Sequence, residues 1–265
     1  MIHPILNIAI HAARQASRVL LRYIDQLDRL KVSEKTPNDF VTQVDQEAEA
    51  IIIEHIRKAY PNHAILAEES GSHKNDRAEY TWIIDPLDGT NNYIHGFSHF
   101  AISIAVMKKD QVELGVIYDP IRQEEFSATR GQGAYVNNHR MRVSKVTELK
   151  EALIGTGFPF RDKEKAASYF KTFRSVFTDC LDIRRTGSAA LDLAYVAAGR
   201  LDGFSESDLK SWDIAAGALM IQEAGGKITD FTGGDQYFKT GNTLAGNFKI
   251  HELLLQKMAC DTGCH

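Results

Sequence analysis

Apolar side chains recur at helical spacing between residues 4 and 27, at Ile5, Ala9, Ala12, Ala16, Leu20, Tyr23 and Leu27. Arg14, Arg18 and Arg22 take the opposite face, so the stripe predicts an amphipathic helix laid on a core. The polar segment Ser33–Phe40, with Pro37 inside it, breaks the period. Residues 43–59 resume it through Val44, Ala48, Ile51, Ile52 and Ile56, and stop before Pro61. The pattern then shortens. Ala64–Ala67, Tyr80–Asp85, Phe100–Met107, Val112–Tyr118, Glu125–Ala128 and Ala134–Val136 read as strands. The second half reads as helix Glu164–Phe177, strand Leu181–Arg184, helix Ser188–Ala198, strand Gly203–Ser205 and helix Trp212–Glu223. Strands Lys227–Thr229 and Thr243–Ala245 and a helix from Lys249 follow. Interleaved helices and strands predict a layered α/β fold. A change of rhythm near residue 150 predicts two closely packed lobes, 1–150 and 151–265, and no flexible linker or internal repeat separates them.

Length and charge narrow the function classes. A chain of 265 residues can bury a substantial core. The formal net charge is −4 and no long basic stripe appears, which argues against autonomous nucleic-acid binding. No stretch approaches the roughly 18 apolar residues of a membrane span, and the opening segment lacks the basic lead of a signal peptide. Cys180, Cys260 and Cys264 are too few for a disulfide framework and predict a reducing, cytoplasmic setting. The tail Cys260, Cys264 and His265 has donors a metal accepts, but reads as a frayed terminus.

The candidate chemistry is acidic. In Trp82-Ile83-Ile84-Asp85-Pro86-Leu87-Asp88-Gly89-Thr90 an apolar strand ends on a carboxylate, Pro86 ends the pairing, and Asp88 returns across a tight turn. Gly89 permits close backbone approach, and Thr90-Asn91-Asn92 has the chemistry of a helix start. Free amides and the helix dipole there form a phosphate cradle. Glu68 follows the strand ending at Ala67, and Asp213 lies in the first turn of an apolar helix, where dipole complementation is an equal alternative to a ligand role.

Taken together, Glu68-Glu69-Ser70, Asp85-Pro86-Leu87-Asp88-Gly89-Thr90, Trp212-Asp213-Ile214-Ala215-Ala216-Gly217 and Glu223-Ala224-Gly225-Gly226 resemble the signature blocks of the inositol monophosphatase family, in its order and at its spacing. The resemblance runs from about residue 4 to residue 257 and is closest to the bacterial branch. It implies the α/β/α/β/α sandwich shared with the fructose-1,6-bisphosphatase superfamily. It implies a lithium-sensitive, Mg²⁺-dependent phosphatase holding two to three ions, with inositol monophosphate or a similar polyol phosphate as substrate. Glu68, Asp85 and the Leu87 carbonyl would hold one ion, Asp85, Asp88 and Asp213 a second, with a third, largely hydrated, near Glu68. Asp45 and Thr90, with Glu68, would serve the attacking water. Gly89 and Thr90 amides would meet phosphate, with Asp88 and Asp213 alongside, and Glu206 with the turn Gly187-Ser188-Ala189 would meet sugar hydroxyls. The resemblance further implies a homodimer, and bacterial relatives join ribosomal-RNA antitermination complexes with RNA polymerase. A sugar bisphosphatase or a 3′-phosphonucleotide phosphatase would share this metal site.

Elementary electrostatics points the same way. Four crowded carboxylates raise one another's pKa and repel a phosphate dianion unless cations balance them, and an all-oxygen donor set suits Mg²⁺. Among other candidates, His95 and His99 read as structural or rim residues, and Arg184-Arg185 as a phosphate clamp or a fold or subunit contact. Asp45, which could instead be a helix-start charge, is a better catalytic candidate than Lys35 or Asp39. Two departures from the family pattern stand out. Asn91 replaces a second Thr, and Glu206-Ser207-Asp208-Leu209-Lys210 carries added charges expected to alter the polyol pocket.

Overall fold

A computed structural model describes residues 3–30, 32–36, 39–159 and 162–262. Helix α1 (Pro4–Tyr23) opens with proline in its first turn and tightens into a 3₁₀ segment at Ile24, where the single regular helix expected to run to Leu27 gives way. The polar segment read only as a break holds an antiparallel hairpin, β1 (Val32–Thr36) with β2 (Asp39–Thr42). Its strands pair through the backbone, which an apolar pattern does not report. Helix α2 (Gln43–Ala59) follows directly.

The larger sheet contains β3 (Ala64–Ala67), β4 (Gly71–His73), β5 (Tyr80–Asp88), β6 (Ala101–Lys108), β7 (Gln111–Asp119), β8 (Glu124–Thr129), β9 (Gly133–Val136) and β10 (His139–Arg140). Their order is β10-β9-β8-β7-β6-β5-β3-β4, and the short helix α3 (Thr90–Ile94) leaves the end of β5. The smaller sheet has β11 (Leu153–Thr156), β12 (Asp182–Arg184), β13 (Gly203–Glu206), β14 (Lys227–Thr229) and β15 (Thr243–Gly246), in the order β12-β11-β13-β15-β14. Strand β11 escaped the sequence pattern because it is only four residues long and half of it is Gly155 and Thr156. The remaining helices are α4 (Ala166–Phe177), α5 (Ala189–Ala197), α6 (Ser211–Glu223), α7 (Tyr237–Thr240) and α8 (Phe248–Thr262).

Helices α1 and α2 cover the outer face of the larger sheet, α5 and α6 lie between the sheets, and α8 with α4 against it covers the far face of the smaller one. This is the predicted α/β/α/β/α order. The central pair must be apolar on all sides, and α6 is, from Ile214 through Ile221. It packs so near β7 that a Cβ on Gly115 would lie 2.7 Å from the Ala216 backbone. One continuous core therefore runs from Ile83 and Phe126 through α5 and α6 to Phe204 and Ala245. No helix among the described residues is long and apolar enough to cross a membrane.

Candidate metal centre

Strand β5 does not end at Asp85. It pairs with β6 through Asp85↔Ser103, slips, and pairs again through Asp88↔Ala101, so three positions on β5 span two on β6. Pro86 has no N–H to give the ladder, which corrects the expectation that pairing stops there: the strand bulges and continues. The bulge has a chemical result. Residues three apart on a regular strand face opposite ways, and one extra residue returns Asp88 to the side of Asp85. Asp213, third residue of α6, meets them across the space between the sheets. Oxygen atoms of Asp85, Asp88 and Asp213 all lie within 4.8 Å of one another.

Each acid is aimed by local bonds. The Leu87 amide donates to Asp85 Oδ1 at 2.9 Å, and the Lys210 amide donates to Asp213 Oδ2 at 2.6 Å. Asp88 Oδ2 accepts from the Ser188 hydroxyl at 2.5 Å and the Ala190 amide at 2.7 Å, which docks the start of α5 onto the end of β5. Burial pushes Asp85 well above the usual carboxylate range, and the charges of Glu68, Asp88 and Asp213 push further. Burial likewise carries Asp88 up to about 6, against the bonds from Ser188 and Ala190. Glu206 is raised well above the normal range by burial and then by Asp192 and Asp213.

These groups open into one pocket of about 70 Å³, lined also by Glu68, Leu87, Gly89, Thr90, Gly187, Ala189 and Glu206. Gly89 is required there: its φ is +99°, and a Cβ would sit 3.1 Å from the His99 carbonyl. Glu206 lies directly over Gly157, where a Cβ would fall 1.9 Å from the carboxyl carbon. The adjoining helix α3 has only five residues, so the phosphate cradle expected there draws little from a helix dipole and rests on local backbone geometry.

Two expected site residues lie behind the pocket wall. Ser188 is 1% exposed, donates its hydroxyl to Asp88 and is not among the residues lining the pocket. Asp45, 1% exposed, caps α2 through the Thr42 amide and hydroxyl. Its other oxygen accepts from the Thr90 hydroxyl at 3.2 Å, and burial raises it to about 6. It is thus a helix-start charge and a second-layer partner of Thr90 at once. Thr90 has one hydroxyl proton and two acceptors, Asp45 and the Leu87 carbonyl at 3.0 Å.

The added charges after Glu206 do not enter the pocket. Asp208 adopts φ 63° and turns to Lys165, with both oxygens 2.8 Å from Nζ, while Leu209 faces inward. Arg185 lines the pocket with its guanidinium 5.7 Å from the centre of the Phe158 ring, whereas Arg184 pairs with Asp182 at the surface. His95 is exposed. His99 is buried against Tyr195, outside the pocket lining, and burial followed by Arg122 lowers it to about 4, so it is a neutral packing residue. Phe40 and Asn91 complete the wall. Nothing in the local sequence marked Phe40, which arrives on the hairpin. Cys264 and His265, like the side chains of Cys260, Lys35 and Asp39, lie outside the described residues.

Three acids converging on oxygen-lined space offer the donors that a divalent cation accepts. A family model described as the inositol monophosphatase family matches residues 1–262. The chain belongs to the inositol monophosphatase family. Among curated relatives, it is 52% identical over 256 residues to the Nus factor SuhB of Salmonella typhimurium, covering 97% of this chain and 96% of that protein. Among solved structures, the extragenic suppressor protein suhB of Bartonella henselae superimposes with TM-score 0.94 at 43% identity, covering 97% of this chain and 98% of that one. The inositol monophosphatase of Anabaena gives TM-score 0.85 at 38% identity, covering 97% and 95%. Family membership joins the acidic cluster to a phosphatase superfamily.

Proposed function

We propose that this protein is a Mg²⁺-dependent phosphomonoesterase acting on inositol monophosphate, working in the cytoplasm. The observation that carries the reading is the convergence of Asp85, Asp88 and Asp213 within 4.8 Å in a pocket shared with Glu68, Thr90 and Glu206. The all-oxygen donor set suits Mg²⁺: Glu68, Asp85 and the Leu87 carbonyl would hold one ion, Asp85, Asp88 and Asp213 would hold another, and Glu68 with water would hold a weaker third. When bound, Mg²⁺ supplies charge neutralisation at phosphate oxygens and a lowered pKa for water.

The chain's own groups do the rest. Thr90 holds the nucleophilic water by its hydroxyl, and Asp45 orients that hydroxyl from behind. Water oxygen forms the new bond to phosphorus as the ester P–O bond breaks, and one proton of that water ends on the departing alkoxide, which leaves as alcohol while the other stays with inorganic phosphate. Gly89 keeps the backbone free of any Cβ where the phosphate approaches. Glu206, with Gly187 and Ala189 across the pocket, meets the polyol hydroxyls. Phosphate release from inositol 1-phosphate, fructose 1,6-bisphosphate and 3′-phosphoadenosine 5′-phosphate, each with Mg²⁺ and with chelator, tests this. Metal-dependent preference for inositol 1-phosphate is expected; preference for either of the others overturns the substrate, and metal-independent turnover overturns the mechanism.

Identity of 52% to a protein named a Nus factor favours a second role, in a transcription antitermination complex with RNA polymerase. That role would use the surface. Asp213→Asn keeps shape and helix start while removing a metal ligand, so it should abolish phosphatase turnover and leave polymerase recovery from lysate unchanged. Recovery by the wild type alone would tie the two roles to one site. We also propose a homodimer, supported by the exposed phenylalanines of α4, Phe170 and Phe177 (each 54% exposed), which are linked through Phe173. A monomer in sedimentation at micromolar concentration overturns it.

A further inference from the structure

Helix α2 carries two buried acids one turn apart, Asp45 and Glu49, 1% and 3% exposed. Asp45 reaches toward Thr90. Glu49 does not line the acidic pocket, and its contacts lie elsewhere. Its Oε2 accepts the Glu69 amide at 2.8 Å and its Oε1 accepts the Ser70 amide at 2.8 Å. Those amides belong to the turn between β3 and β4, and the first residue of that turn is Glu68. The Glu68 amide itself donates to the Ile84 carbonyl of β5 at 3.1 Å. All three amides of Glu68–Ser70 are therefore engaged, one by the strand that carries Asp85 and two by a single carboxylate. Glu68 is held from both sides at the place where β3 releases the chain.

A carboxylate is the group this geometry selects. It offers two acceptor oxygens to two parallel N–H donors, and the charge strengthens both bonds. A carboxamide offers one acceptor, and its NH₂ would face the second amide donor. An aspartate is one methylene short of reaching both. We propose that Glu49 is a positioning residue for cation binding: by clamping the amides of Glu69 and Ser70 it fixes the Glu68 backbone, and with it the direction in which the Glu68 carboxylate enters the pocket. The inference rests on the metal-dependent reading above and adds a residue that no sequence motif singled out. It makes α2 the common support of both sides of the site, Thr90 through Asp45 and Glu68 through Glu49.

The test is a calorimetric titration of the full-length protein with Mg²⁺, wild type against Glu49→Gln and Glu49→Asp, with amide hydrogen exchange on the same samples. Mg²⁺ affinity is expected to fall about tenfold in Glu49→Gln, the size typical of losing an outer-shell support, and turnover to recover to within about twofold at saturating Mg²⁺. The Glu69 and Ser70 amides should exchange faster while those of β6 and β7 keep their protection. Glu49→Asp, one methylene short of reaching both amides, should also lose Mg²⁺ affinity, and it carries the test should Glu49→Gln fail to fold. Equal Mg²⁺ affinity in wild type and variants, with only a lowered melting temperature, overturns the positioning role and leaves Glu49 as a fold contact. Absence of Mg²⁺ binding by the wild type overturns the metal reading together with this inference, so the two failures are distinct.

Discussion

The protein contains two kinds of buried aspartate, and they differ in what surrounds the carboxylate. Asp119, 0% exposed, accepts the amides of Ile121 and Arg122 at 2.9 Å each and the Arg122 guanidinium at 2.9 Å. Asp230 gathers the amide and hydroxyl of Thr232 and the amides of Gly234 and Gln236; burial alone would raise it, but these bonds bring it below the usual carboxylate value. Both sit in turns that supply enough donors to keep a charge buried. At the other extreme, Asp85 accepts a single amide bond that still falls short of offsetting burial and three acidic neighbours. The first kind closes a turn. The second is a set of acids whose hydrogen bonds do not offset burial and mutual repulsion, the arrangement a cation would balance under the proposed function. Carboxylate burial alone therefore says nothing of function, and the donor balance around each group does.

Asparagine substitution separates the two kinds most sharply. Asp88→Asn should reduce Mg²⁺-dependent turnover by at least ~100-fold, since it weakens the electrostatic stabilisation of the transferred phosphate, while the metal-free fold survives. Steady-state assay at saturating Mg²⁺ checks it, and near-normal turnover would break the comparison. Asp119→Asn should do the reverse. Its NH₂ would face donors where a carboxylate accepted them, at a cost of roughly 1–3 kcal/mol of stability by denaturant titration, with turnover unchanged.

The smallest effect lies in the pH dependence of stability without metal. Asp88 rises from 3.8 unfolded to about 6 folded, so between those values the folded state holds more protons and loses stability as pH rises. Asp88→Asn removes that loss. Its melting temperature minus that of the wild type should increase from pH ~4 to ~6 and then level off. Asp230, lowered on folding, has the opposite sign: its contribution is present above its unfolded value and fades as pH falls through the folded one, so the deficit of Asp230→Asn should shrink in acid. Thermal scans at a series of pH values in chelator read both, and parallel curves for all three proteins would show that the donor balance has been misjudged.

Much of this was legible in the chain. The apolar periods of residues 4–59 and the strand runs up to Val136 place helices α1 and α2 and most of the larger sheet, because local period and face burial are the same fact. The acidic blocks around Glu68, Asp85 and Asp213 stand out as residues, and their order carries the family. What sequence could not decide is which way each acid points. Asp85 and Asp88 share a face only because a proline without an N–H forces a bulge, and the bulge exists only against β6. Ser188 and Asp45 read as pocket residues, yet each is turned to a partner distant in the chain, Asp88 and Thr90. The charges of Asp208 and Lys210 looked like pocket chemistry until a left-handed backbone at Asp208 carried its side chain to Lys165. Glu49 carries no local signal, since its two amide partners are about twenty residues away. Composition and period are properties of neighbours along the chain. Donor balance around a buried charge depends on groups brought together by packing, and so it belongs to the tertiary structure alone.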